Sequence, residues 1–96
     1  MTARRHAVYR SKHGKTIRVC VTLSGEKIVG VTFTGDFFGE PAESFSYLGN
    51  ELIGLTINDK EEIIKRIEEF FKKNVVWLAG ASPEDFKTAL MKSLET

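Results

Sequence analysis

The sequence holds one cysteine, Cys20, no glutamine, and only two prolines, Pro41 and Pro83. A lone cysteine excludes an internal disulfide and any zinc or iron–sulfur cage built from several thiolates. Cys20 reads as a small, half-buried apolar residue of a strand, the usual packing of a free thiol. No apolar run approaches the ~20 residues that a membrane helix needs, and MTARRHAVYR lacks the apolar stretch of a secretory signal. The expectation is a soluble, cytoplasmic protein with no membrane partner. The missing glutamine and the 28% of charged residues lean toward a thermophilic source.

Signals of a reaction centre are equally scarce. His6 and His13 stand in the basic N-terminal part without helical ligand spacing, and no third ligand accompanies them. His13, beside Gly14 in an expected turn, reads as a surface residue. The eight glycines are scattered over turns and helix ends, so no Gly-rich loop precedes a helix to cradle a phosphate. Aromatic residues do not interleave with basic ones as a stacking platform, which disfavours nucleic acid as a partner. The residues point to a binding or accessory module with no catalytic centre, no metal site and no cofactor of its own.

What is present is an ordinary globular composition, 42% hydrophobic over 96 residues, enough for one domain that buries roughly 60 to 70% of its unfolded surface. Its charge is uneven. Residues 1–18 carry Arg4, Arg5, Arg10, Lys12, Lys15 and Arg18 with no acid, whereas the rest of the chain is net −5. Residues 1–7 read as a basic N-terminal arm ahead of a domain over 8–96. This basic end is either a solvated arm and strand edge or an attractor for an anionic partner such as a nucleotide, nucleic acid or acidic protein face.

The elements follow from period. TIRVCVTL alternates strictly, with Ile17, Val19, Val21 and Leu23 on one face. IVGVTF follows after SGEK, and pairing Leu23 with Val29, Val21 with Val31 and Val19 with Phe33 gathers the large apolar residues on one side, with a bulged three-residue loop over Gly25 to Lys27. HAVYRS adds a strand before this hairpin, with neither Val8 nor Tyr9 decisively inward. Beyond Pro41 and Glu43, Phe45, Leu48, Leu52 and Ile53 recur at helical spacing up to Gly54, with Gly49 a weak point inside. Asn58 with Glu61 resembles a capping box for a helix whose stripe is Ile63, Ile64, Ile67, Phe70 and Phe71. Its other face pairs Glu61, Glu62, Glu68 and Glu69 with Lys65, Arg66, Lys72 and Lys73 four positions on. NVVWLAGA either extends that helix or crosses the sheet irregularly, with Trp77 assigned to the core. Ser82, Pro83 and the following acids open a last helix carrying Phe86, Leu90 and Leu94. The fold class is α+β, a three-stranded antiparallel meander packed by about three helices.

The stretch YRSKHGKTIRVCVTLSGEKIVGVTFTGDFFGEP, with YLGNELIG and AGASPEDFKTAL, resembles the accessory domain of lipoate–protein ligases over about residues 9–94. Its most specific part is the strand ending in Gly35, Asp36, Phe37 and Phe38, followed by Leu48, Leu52 and Gly54. The catalytic half of such ligases is absent, so the resemblance is to the stand-alone small subunit found beside a catalytic subunit in some archaea. It implies a fold similar to the SufE/NifU type, without the cysteine ligands of the iron–sulfur scaffolds. It also implies a heterodimer whose catalytic subunit binds ATP, magnesium and lipoate, makes lipoyl-adenylate, and passes the lipoyl group to a lysine of lipoyl carrier domains. The accessory chain serves the activation half and touches the carriers indirectly. Gly49 departs from the acidic residue usual at that position.

Gly35, Asp36, Phe37 and Phe38 are the candidate partner-interface residues. Adjacent phenylalanines on a strand cannot both enter one core unless the backbone turns. Gly35 permits that turn, Asp36 bonds to local backbone, Phe37 points inward and Phe38 is left as an anchor for the catalytic subunit; in the alternative, both rings fill the core under the first helix. Lys12 and Lys15, in or beside the KHGK turn, are candidate phosphate-proximal residues. Two other classes stay open: a sulfur-transfer or iron–sulfur scaffold-like adaptor working through Cys20, and a small nucleic-acid-binding module using the basic segment.

Overall fold

Alternation in TIRVCVTL makes β2 (Thr16–Ser24) a strand whose Ile17, Val19, Val21 and Leu23 are all buried on one face. In the computed structural model, which describes residues 2–12, 14–41, 43–75 and 77–95, β2 is the centre of an antiparallel sheet ordered β1-β2-β3. The surface reading of His13 and the Val76 part of NVVWLAGA lie outside the described residues. β1 spans Thr2–Arg10 and β3 spans Lys27–Gly35. Residues 2–7 are therefore strand and not an arm ahead of the domain: pairing runs from Thr2 opposite Ser24 to Arg10 opposite Thr16. Ladder hydrogen bonds and the burial of Ala7 outweigh the hydrophilic local sequence. Tyr9 packs on the core, and Val8 faces out with 53% of its surface exposed.

The β2–β3 register places Val21 opposite Val31 and Val19 opposite Phe33, but Leu23 meets Ile28 and not Val29. The register shifts between Thr22 and Leu23, and the tight turn brings Ser24 opposite Lys27. This bulge lets Ile28 rejoin the core face with no exposed surface and turns Val29 outward. The extra residue thus sits in the strand and not in the loop. Past the bulge, the outer edge of β3 is closed by the 54–57 segment: the Ile28 amide donates to Leu55 at 2.8 Å, and the Gly54 amide donates back to Ile28 at 2.8 Å.

Three helices cover one face of the sheet, α1 (Ser44–Glu51) on β3 and α3 (Pro83–Leu94) on β1 and β2, with α2 (Lys60–Asn74) packed on both helices. Ser82 and Asp85 form the capping box of α3, Ser82 N donating to Asp85 Oδ2 at 2.8 Å. Asn58 does not cap α2. Asp59 occupies that position without a side-chain cap, and Asn58 Nδ2 instead donates to Glu26 Oε2 at 3.0 Å, tying the helix entry to the β2–β3 turn. Along α2, Arg66 pairs with Glu62 at 3.2 Å, whereas Glu68 turns to Lys87 of α3 at 3.6 Å. Trp77 is not core: it lies in a short strand, β5 (Trp77–Ala79), and is 55% exposed. β5 pairs with β4 (Phe38–Glu40) as a separate two-stranded ribbon.

Gly49 is more than a weak point in α1. It is buried against β3, and a Cβ there would stand 2.1 Å from the Val31 carbonyl oxygen. No side chain of any kind, acidic or otherwise, fits between this helix and strand without moving one of them. Alanine at 49 would gain up to about 1 kcal/mol in helix propensity, yet overpacking of this sort costs about 1–3 kcal/mol. Gly49→Ala is therefore expected to lower the urea midpoint of unfolding, the opposite sign to a propensity argument.

Candidate functional site

The site begins where β3 runs out. Gly35 has φ 155°, and a Cβ on it would lie 2.0 Å from the Thr16 carbonyl oxygen, so a residue with a side chain cannot pass β2 there. The next residue locks the bend: the Asp36 amide donates to Thr16 O at 3.3 Å, and the Thr16 amide donates to Asp36 Oδ1 at 2.7 Å. Asp36 is exposed but bonded on both sides to the start of β2.

Beyond this elbow the two phenylalanines part. Phe37 turns inward and meets Phe45 and Phe86 edge-on, each with ring centroids 4.9 Å apart. Phe86, on α3, has no exposed surface and also meets Phe33 at 5.5 Å and Phe71 at 5.1 Å. Phe38 opens β4 and is 66% exposed. In the ribbon Phe38 stands opposite Ala79 and Glu40 opposite Trp77. Cross-strand partners share a face and neighbours alternate, so Phe38, Glu40, Trp77 and Ala79 face one way while Gly39 and Leu78 face the other. The inner face is pressed tight: a Cβ on Gly39 would lie 2.4 Å from Phe45 Cζ. Phe38 and Trp77 are thus diagonal neighbours, about 7–8 Å apart in such a ladder, on the outward side of a ribbon that cannot sink further.

The β1–β2 turn closes against the same ribbon. Ser11 Oγ donates to the Gly80 carbonyl at 2.8 Å, and the Lys15 stem crosses Gly80 so closely that a Cβ there would lie 2.5 Å from Lys15 Cγ. Gly35, Asp36, Phe37, Phe38 and Lys15 therefore meet at one end of the molecule, with Lys12 exposed on the same turn. Of these, Phe37 is an interior residue and Lys15 spends its aliphatic stem on packing. Cys20 lies elsewhere, half-buried on the outward row of β2. Among the described residues, no three His, Cys, Asp or Glu side chains gather as a metal-binding group. The residue that sequence reasoning missed is Trp77. A three-residue strand is too short to display period two, and apolar neighbours draw a tryptophan into any assumed core.

Electrostatics at the elbow are legible through Asp36. The Thr16 amide holds its carboxyl below the ordinary range against desolvation, with smaller help from its own amide and from the charges of Lys15 and Arg10. A carboxyl with a depressed folded-state pKa adds stability above its unfolded-state pKa and loses it as pH falls through the folded value. Between about pH 5 and about pH 2, the melting temperature of the native chain should fall more steeply than that of Asp36→Asn, which keeps an acceptor but carries no charge.

No family model matches the chain. Lipoate-protein ligase A subunit 2 of Thermoplasma acidophilum is 35% identical to it over 82 residues, which make up 85% of this chain and 82% of that protein. A solved chain from the structural analysis of an archaeal lipoylation system, a bi-partite lipoate protein ligase and its E2 lipoyl domain from Thermoplasma acidophilum, matches with a TM-score of 0.79 and 33% identity, covering 94% of this chain and 97% of that one. With identity of this level over most of both proteins, the chain belongs to the family of lipoate-protein ligase A subunit 2.

Proposed function

We propose that this chain is the non-catalytic accessory subunit of a two-part lipoate–protein ligase, docked on a separate catalytic subunit through the Phe38–Trp77 face and required for the ATP-dependent activation of lipoate to lipoyl-adenylate. Transfer to a lysine of a lipoyl carrier domain then follows on the catalytic subunit, and the working unit is a cytoplasmic heterodimer. The observation that carries this reading is the pair of exposed aromatic rings held outward by a ribbon locked from behind, on a chain matched over almost its whole length by a ligase subunit. Exposed aromatics on a rigid support are the usual anchors of protein interfaces, because they bury a large area at little entropic cost.

ATP, magnesium and lipoate belong to the catalytic subunit in this reading, and no step of acid activation is assigned to a residue of this chain. Its contribution is conformational. By binding the closed catalytic subunit more tightly than the open one, it shifts that equilibrium and keeps water from the reactive acyl-adenylate. Lys12 and Lys15 are not needed to contact phosphate in this scheme.

Mixing this chain with a separately made catalytic subunit should yield lipoyl-adenylate from ATP and lipoate, with neither chain active alone. A catalytic subunit that charges lipoate equally well without its companion overturns the reading. Phe38→Ala and Trp77→Ala should each weaken the complex about 30-fold, the equivalent of ~2 kcal/mol at an interface anchor, with the melting temperature of the free chain nearly unchanged. Lys12→Ala combined with Lys15→Met, which keeps the stem over Gly80, should leave adenylate formation nearly intact. A large loss with an intact complex would move phosphate stabilisation onto this chain.

A further inference from the structure

The β4–β5 ribbon uses none of the arginines that make the first part of the chain basic. Strand alternation divides them. Arg5 points to the helix side, where Nη1 donates to the Leu94 carbonyl at 2.7 Å and caps the end of α3. Arg4, His6, Val8 and Arg10 point the other way, and the register aligns this row with Arg18, Cys20 and the outward threonines of β2 and β3. Both sheet-packing helices lie on the opposite side, and Arg4, His6, Val8, Arg10 and Arg18 are all exposed. The result is an open sheet face carrying three guanidinium groups and no carboxylate. Two carboxylates stand at its margins, Asp36 bonded to the Thr16 amide and within the field of Arg10, and Glu26 bonded to Asn58, which leaves Arg4 and Arg18 as the charges without a nearby acid on the face.

The chemistry of this face selects among partners. Single-stranded nucleic acid on a sheet is held by aromatic rings that stack on bases, and this face presents none. A second copy would bring arginines against arginines. A protein surface rich in carboxylates fits: charge complementarity of this kind steers encounter and sets specificity while keeping the complex reversible.

We propose that the open arginine face of the β1–β2–β3 sheet is an electrostatic docking surface for the acyl-accepting carrier domain, whose matching surface carries an excess of carboxylates. This rests on the reading of the chain as a ligase subunit, because the two surfaces then divide the work. The aromatic ribbon holds the subunit that stays, and the charged sheet receives the protein that must arrive and leave in every cycle.

The test uses the two-subunit complex with carrier domain as the varied substrate, comparing native chain with Arg4→Glu/Arg18→Glu and with the charge-preserving Arg4→Lys/Arg18→Lys. Lipoyl-adenylate formation should be equal in all three, which is the separate check on the underlying function. The KM for carrier should rise about tenfold in the charge-reversed complex, the lower end of what electrostatic steering contributes to association. Its kcat should be retained, and its dependence on salt should be weaker than that of the native or lysine forms. If the reversed chain fails to fold by circular dichroism, Arg4→Gln/Arg18→Gln replaces it, with the same expectation at smaller amplitude. An unchanged KM overturns the proposal, as does loss of adenylate formation, which would assign the face to the catalytic subunit. Salt-dependent binding of an oligonucleotide in place of the carrier would likewise overturn it.

Discussion

Phe86 is in contact with an aromatic ring from almost every part of the fold. On α3, it meets Phe33 from β3, Phe37 from the elbow, Phe45 from α1 and Phe71 from α2, all with centroids within 5.7 Å. Edge-to-face and offset contacts of this sort add about 0.5–1.5 kcal/mol each beyond the area they bury, but their geometric effect matters as much here. Because Phe37 must reach Phe86, the chain has to bend at Gly35, and because it bends there, the next residue is presented outward. The exposure of Phe38 is thus a by-product of how the core is closed.

Two supports keep that arrangement rigid. Asp36 holds the elbow to the first residue of β2, and Gly39 lies directly on Phe45, so the ribbon rests on the same aromatic group that its neighbour helps to build. A side chain on such a base loses little freedom when a partner covers it, which is what pre-organisation means for an interface. The open sheet face is different in character, with long guanidinium side chains spread among threonines and scattered apolar residues such as Val8. The molecule therefore carries two surfaces of different physical character, one rigid and aromatic, the other flat and cationic.

How much of this could be read from the residues depends on how local each cause is. The cap of α3 is visible because Ser82, Pro83 and Asp85 stand within four positions, and the central strand because eight residues alternate without exception. The divergence of Phe37 and Phe38 is legible only in part: Gly35 signals a bend, but the choice between one buried ring and two rests on Phe86, 49 positions away. Register next to the β2–β3 turn is not legible, because Ile28 and Val29 are equally apolar and only the depth of the core prefers the larger one. Asn58 looked like a cap because its competing partner, Glu26, is 32 residues away. The basic arm became strand for a similar reason: its pairing partners are supplied by β2, and nothing in TARRHA signals them. Gly49 had a meaning that only the Val31 carbonyl could reveal.

The bond from Arg5 to Leu94 joins residues 89 positions apart, and α3 also brings the ring that Phe33, Phe37, Phe45 and Phe71 surround. An emerging polypeptide would have its meander and both earlier helices at hand before their shared centre exists. Until that final helix docks, apolar surface stays uncovered, a period when nascent chains are prone to aggregate. Loop closure over so long a separation is also slow compared with hairpin formation. Docking of α3 is therefore what joins the local structures of this fold into a cooperative unit.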